Sequence, residues 1–238
     1  METSPSLCII PARGGSKRIP RKNIRPFLGR PILARVVETA LASGCFDEVM
    51  VSTDDDEIAT IAEEAGAKVP FRRSPETAND HAGTFEVIDE VLKTYAAAGR
   101  SFETCCCLYA TAVLTRPGQL REGKERLVDA PDLMAVLPVI AFGYPIQRAV
   151  RISDERLHMF QPEHYPSRSQ DLEKAYHDAG QWYWLRPALL SASKPLLGPH
   201  SAPVIVPEMD AQDIDNEEDW HLAEVKFQLR KRQSAEDA

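Results

Sequence analysis

The chain has 238 residues, 43% of them hydrophobic and 27% charged, which suits one large domain with a packed core and excludes global disorder. A formal net charge of -8 excludes a general nucleic-acid or membrane-surface binder, and no stretch approaches the roughly 20 apolar residues of a membrane span. The first residues lack the basic region and long apolar run of a secretory signal, and five cysteines (8, 45, 105, 106 and 107) without a Cys-x-x-Cys argue against a disulfide framework, so a cytoplasmic protein is expected.

The apolar run Leu7 to Ile10 reads as a buried first strand. Gly14 and Gly15 follow, and five basic residues stand between Arg13 and Lys22. Glycines let backbone N–H groups approach an anion, cations add charge, and Pro20 limits the loop's freedom. A solvated basic loop is the plain alternative. A phosphate site is the better reading, because α/β folds bind ligands outside the carboxyl ends of strands. The spacing fits neither a Walker P-loop nor Gly-x-Gly-x-x-Gly.

Pro31 opens a helix whose apolar positions are Ile32, Val36, Val37, Ala40 and Leu41, ended by Gly44. Glu48 to Ser52 is the second strand. Asp55, Asp56 and Glu57 complement the positive end of the next helix, and Lys68 to Phe71 reads as a third strand. Arg72 to Gly83 is a polar loop. Thr84 to Ala98 is a helix with Phe85, Ile88, Val91, Leu92 and Tyr95 inward, followed by a strand at Thr104 to Tyr109 in which Cys105 to Cys107 serve as small apolar residues. A helix from Pro117 to about Val128 and a strand at Leu133 to Pro138 continue the alternation, which predicts a three-layer α/β/α fold on a mostly parallel sheet.

The pattern changes after Ile140. Phe142 to Ile152 and Arg156 to Phe160 read as exposed edge strands, and Gln161 to Asp178 is long, polar and aromatic, the kind of segment that serves function or packs on another chain. A strand containing Trp182, Tyr183 and Trp184, a short helix at Pro187, a strand at Ala202 to Val206 and a last helix from Glu217 to about Arg232 follow. Ahead of that helix stands Asp213-Ile214-Asp215. In an extended segment both carboxylates share a face and can hold Mg²⁺; equally, acids before a helix can simply complement its dipole. A basic loop near one end of the chain and an acid pair near the other together describe a metal-assisted nucleotidyl transfer site.

Ile10 to Asn23 (IPARGGSKRIPRKN), Val51-Ser52-Thr53-Asp54, Arg73-Ser74-Pro75-Glu76 and Asp213-Ile214-Asp215 resemble, in order, the blocks of the CMP-sialic acid synthetases, the acylneuraminate cytidylyltransferases. The likeness spans about Leu7 to Phe227. Leu108 to Ala112, Tyr144 to Ala149 and Arg168 to Gln181 are most similar to the branch acting on pseudaminic acid, and Tyr109 stands where the sialic acid enzymes carry a sugar-contacting Gln. Val113 departs from the proline expected of either branch.

The resemblance implies a nucleotide-diphospho-sugar transferase, Rossmann-like fold. It implies a single domain over residues 1–238, with residues 140–178 as a protruding insertion for dimerisation and sugar binding. It implies CTP as co-substrate, a nine-carbon keto-acid sugar as acceptor, Mg²⁺ or Mn²⁺ as cofactor, and a homodimer. Arg13, Lys22, Asp213 and Asp215 would be catalytic, the two acids holding the metal. Ala12, Arg13, Gly14, Gly15, Ser16, Lys22, Asn23, Arg73, Asp80 and Thr84 would hold the nucleotide. Tyr109, Thr111, Gln147, Arg148, Arg168, Gln170, His177 and Asp178 would line the sugar side. Synthetases for N-acetylneuraminate, legionaminate or keto-deoxyoctulosonate, and a catalytically silent binding homologue, are the alternatives.

Overall fold

Among the described residues, short apolar runs separated by amphipathic helices build a seven-stranded sheet covered on both faces. The computed structural model describes residues 5–79, 82–190 and 195–236. β1 (Ser6–Pro11) leads through the basic loop to a small ribbon, β2 (Pro26–Phe27) and β3 (Arg30–Pro31), then to α1 (Ile32–Ser43) and β4 (Glu48–Ser52). α2 (Asp56–Glu64), the short α3 (Pro75–Ala78) and α4 (Thr84–Ala97) precede β5 (Thr104–Leu108), α5 (Pro117–Asp129) and β6 (Ala135–Ala141). The hairpin β7 (Val150–Ser153) and β8 (Arg156–Met159), then β9 (Tyr176–Asp178), β10 (Trp182–Leu185), β11 (Ser201–Ile205) and α6 (Glu217–Glu236) follow.

The sheet order is β11-β6-β10-β5-β1-β4, with β9 also paired to β6. β1 runs parallel to β4 and β5, and β11 runs parallel to β6. β10 is antiparallel to both β5 and β6, and β9 is antiparallel to β6. The expected mostly parallel sheet is therefore present, with two reversed strands on its far half.

Period-two alternation divides the strand residues between two cores. Cys8, Ile10, Cys106, Leu108, Trp182 and Trp184 face α1, α2, α5 and α6, whereas Leu7, Ile9, Cys105, Cys107, Tyr183 and Leu185 face α4. The five cysteines are buried in the core, and none is joined to another. Gly123 of α5 sits against both tryptophans; a Cβ there would come within 2.7 Å of their rings.

Some elements differ from the sequence reading. Lys68 to Phe71 contributes a single bridge, Met50 to Lys68, because Pro70 interrupts any longer ladder. Phe142 to Ile152 becomes strand only from Val150, after Pro145 turns the chain into a 3-10 turn at Ile146–Arg148. In α4, Phe85 points outward at 37% exposure, and Val87 takes the buried position. Leu41, expected on the inner face of α1, is also exposed.

Glu48 anchors the amino end of β4. Its side chain is only 1% exposed, and it accepts hydrogen bonds from the Tyr95 hydroxyl, Lys68 (2.9 Å) and Arg100 (3.0 Å). Burial pushes its carboxyl up, but these donors outweigh burial and hold it below the ordinary glutamate value. A depressed carboxyl contributes stability that is full above the unfolded-state pKa of about 4.3 and drains as pH falls through the folded-state value. Glu48→Gln should cost about 1–3 kcal/mol at neutral pH, since both cations are substantially exposed and discount the pair. Thermal melts from pH 7 to pH 3 should show the difference from wild type shrinking in acid.

Candidate active site

The basic loop leaves the carboxyl end of β1 and closes over the sheet edge. Ala12, fully buried, donates from its N–H to the Ser52 carbonyl (2.9 Å), continuing β1 against β4 one residue further. The Gly14 N–H donates to Asp54 Oδ1 (3.0 Å), and Asn23 Nδ2 donates to the Arg13 carbonyl (3.0 Å), tying the loop's end to its start. A cavity of about 480 Å³ opens beneath, lined by Arg13, Ser16, Lys17, Arg18, Lys22 and Asn23 from this loop. Arg73 and Asn79 line the next wall. Gly83, Thr84 and Val87, around the start of α4, and Tyr109 to Thr111, after β5, complete it with Asp213.

The cavity is thus strongly cationic in an acidic protein. Burial lowers the Lys22 ammonium, with Asp215 and Asp213 partly restoring it. Burial also lowers Arg73, which is 8% exposed and held by its N–H to the Thr53 carbonyl (2.9 Å). The open end of α4 adds its positive dipole next to Thr84. Together these groups suit a small, multiply charged anion, such as a chain of phosphates.

The acid segment, residues 211–215, arrives from the other end of the chain. Lys22 Nζ donates to the Ile214 carbonyl (2.6 Å) and lies 3.9 Å from Asp215, which pairs with Arg18 at 2.8 Å. Ile214 is fully buried between exposed Asp213 and half-exposed Asp215, the alternation of an extended segment that places both carboxylates on one side. Burial, then the neighbouring Asp215, pushes the Asp213 carboxyl up; Lys22 and Arg18 only partly offset them. A hard divalent cation would relieve that repulsion with oxygen ligands of the right kind, so the pair fits Mg²⁺ or Mn²⁺. Among the described residues no group of three or more His, Cys, Asp or Glu side chains converges, so such a cation would also need oxygens from the ligand.

The predicted residues divide. Arg13, Ser16, Lys22, Asn23, Arg73, Thr84, Tyr109, Thr111 and Asp213 share the cavity, with Asp215 beside them. Ala12 and Gly14 shape the loop from behind, and Gly15 lies open. Asp80 lies outside the described residues. The sugar-side candidates from the insertion are not in the cavity wall. Gln147 donates to the Glu173 carbonyl (3.0 Å), Arg148 reaches the Ser167 carbonyl (3.4 Å), Arg168 pairs with Asp171 (2.8 Å), and Gln170 is exposed. His177 contacts the Asp178 carbonyl through Nδ1 (2.9 Å), and Asp178 accepts from the Tyr183 hydroxyl (2.6 Å). Tyr183 in turn packs edge-on against Tyr109, whose hydroxyl is 2.7 Å from that of Thr84.

Two supports had no signal in the sequence. Buried Asp210 takes Arg116 (2.6 Å) and Gln119 (3.1 Å) on its carboxylate, and its carbonyl accepts from Gln181 (3.0 Å). Lys226 of α6 donates to the carbonyls of Glu208 (3.0 Å) and Ala211 (2.9 Å) and to Gln212 Oε1 (3.1 Å). These contacts fix the turn that delivers Asp213.

Residues 7–186 match the family model described as "Cytidylyltransferase". The chain belongs to the cytidylyltransferase family. It is 40% identical to the pseudaminic acid cytidylyltransferase of Campylobacter jejuni over 94% of this chain and 97% of that one. It is 29% identical to a CMP-N,N'-diacetyllegionaminic acid synthase of Legionella pneumophila over 94% and 96%. A solved structure of CMP:2-keto-3-deoxy-manno-octonic acid synthetase complexed with CTP superposes with a TM-score of 0.67 at 21% identity, covering 96% of this chain and 100% of that one. The expected nucleotide-diphospho-sugar transferase fold is the one this cytidylyltransferase adopts.

Lys226→Met should leave two carbonyls and a side-chain oxygen without their donor, at a cost of about 1–3 kcal/mol. Because the loosened turn carries Asp213, catalytic rate should fall further than the melting temperature implies; parallel calorimetry and rate measurements check this.

Proposed function

We propose that this cytidylyltransferase activates pseudaminic acid with CTP, giving CMP-pseudaminic acid and pyrophosphate. The observation that carries the reading is the 40% identity, end to end, with the Campylobacter jejuni enzyme of that name. The cationic cavity and the acid pair facing it support the same chemistry.

In this reading, Arg13, Ser16 and Lys22 bind the triphosphate, while Arg73, Asn23 and Thr84 hold the remainder of the nucleotide. The anomeric hydroxyl of the sugar attacks the α-phosphorus in line. A new oxygen–phosphorus bond forms, the α–β bridge breaks, pyrophosphate leaves, and the hydroxyl's proton passes to one of the two aspartates and from there to solvent. Arg13 and Lys22 stabilise the charge that grows on the phosphate oxygens and the leaving group. Asp213 and Asp215 would hold Mg²⁺ or Mn²⁺, which supplies charge neutralisation and alignment of phosphate oxygens when bound. Tyr109 and Thr111 begin the sugar side.

Each protomer is one catalytic domain spanning residues 1–238, and in a homodimer the insertion would reach across to complete the partner's sugar side through Gln147, Arg148, Arg168, Gln170, His177 and Asp178. Its exposed Phe142, Tyr144, Ile152, Leu157, Phe160 and Tyr165 support a homodimer packed through this lobe. No helix among the described residues is long and apolar enough to cross a membrane, and a cytoplasmic setting agrees with the free cysteines.

Pyrophosphate release with CTP and a panel of keto-acid sugars tests the assignment. Release with pseudaminic acid is expected. Release with N-acetylneuraminate or diacetyllegionaminate but not pseudaminate reassigns the sugar, and no release with any sugar leaves a binding homologue. Asp215→Ala should lower turnover at least about 100-fold, near 2.7 kcal/mol of barrier. Its melting point should move little, because Asp215 pairs with an exposed Arg18, and the support lost to Lys22 at 3.9 Å is offset by relief of its repulsion with Asp213. Undiminished turnover at saturating Mg²⁺ would contradict the metal assignment.

A further inference from the structure

Arg21 points away from the cavity that its neighbours line. Its backbone stands in the left-handed region (φ 54, ψ 29), which a side chain other than glycine rarely adopts. The guanidinium forks onto Asp55, with contacts of 2.5 Å and 3.1 Å, and reaches Glu57 at 2.5 Å. Both acids belong to the corner between β4 and α2, where the sequence pattern assigned them only to the helix dipole. Asp55 also caps α2, accepting from the Ile58 N–H (3.0 Å). The same corner holds the start of the loop: Asp54 accepts the Gly14 N–H, and Gly14 lies so close to Asp55 that a Cβ would come within 2.7 Å of Oδ2. The loop is therefore pinned at both ends to one rigid acidic corner, and Lys22 and Asn23 immediately follow the second pin.

We infer that Arg21, with Asp55 and Glu57, is a positioning latch that holds Lys22 and Asn23 in their nucleotide-binding arrangement. The inference rests on the nucleotide reading of the cavity. Arg21 does not touch the ligand in this account. It fixes the strained backbone from which the next two side chains reach inward, so the site is arranged before the nucleotide arrives. The Arg21 side chain is 40% exposed, so its contribution to global stability is small while its contribution to loop geometry is large. The Arg21 guanidinium and the backbone N–H groups of α2 hold the Asp55 carboxyl down to about 2, so the latch stays charged across the neutral range.

The test is titration calorimetry of CTP with Mg²⁺, without sugar, on wild type, Arg21→Gln, Arg21→Lys, Asp55→Asn and the double variant, with a melt of each. Arg21→Gln should bind CTP about tenfold more weakly with a nearly unchanged melting temperature. Arg21→Lys should recover part of the loss, because it restores the charge but not the fork. Asp55→Asn keeps an oxygen to cap α2 and should weaken CTP similarly, with the double variant no worse than either single one. A wild-type chain that fails to bind CTP overturns the nucleotide site and the latch with it. Wild-type binding matched within twofold by Arg21→Gln overturns the latch alone, and so does a fall in melting temperature with unchanged CTP affinity.

Discussion

The whole site depends on one seam, where Lys22 meets the acid segment. Its ammonium, largely buried, is 2.6 Å from the Ile214 carbonyl and within reach of Asp215, 192 and 193 positions along the chain. A buried cation needs nearby negative charge, and a half-buried acid pair needs nearby positive charge. Each half of the site is thus the other's counter-charge before any ligand is present. The lowered Lys22 and the raised Asp213 are two signs of the same partial compensation. A polyanion and a divalent cation brought together would satisfy both halves at once, which is the physical content of metal-assisted nucleotidyl transfer.

Around that seam, the fold supplies rigidity from two directions. The loop side leans on the β4–α2 corner through Asp54 and Asp55. The acid side leans on α5 and α6 through Arg116, Gln119 and Lys226. Neither group of supports lines the cavity. They satisfy backbone and carboxylate groups that would otherwise leave the two reactive segments free to drift apart.

Much of this was legible in the residues. The strand Glu48 to Ser52 and the run Leu7 to Ile10 announce themselves because they are continuous, buried and bounded by turn residues. The basic loop as a whole could be read as an anion site because it follows a strand, but Arg13 and Lys22 were singled out within it only by the likeness to a known family. Arg21 could not be told from its basic neighbours, because its orientation depends on a left-handed backbone and on acids 34 and 36 positions away. Asp210 looks like any other acid in an acidic stretch; only the three-dimensional contacts show it buried and bonded. The likeness to a known family located Asp213 and Asp215, since spacing alone left metal ligand and helix-dipole partner equally open. The sugar-side residues of the insertion stand apart from the cavity in a single chain, and no periodicity could have revealed where that lobe lies.

The reversed strand β10 has a consequence for how the chain must be assembled. It sits between β5 and β6, so these two are joined only when residues 182–185 are inserted between them. A chain emerging from the ribosome can pair β1 with β4 and β5 early, but its sheet remains in two pieces until more than three-quarters of its length exists. The acid segment follows later still, and the helix that carries Lys226 comes last. Vectorial synthesis therefore produces the cationic half of the site first and withholds the anionic half until the sheet has been joined.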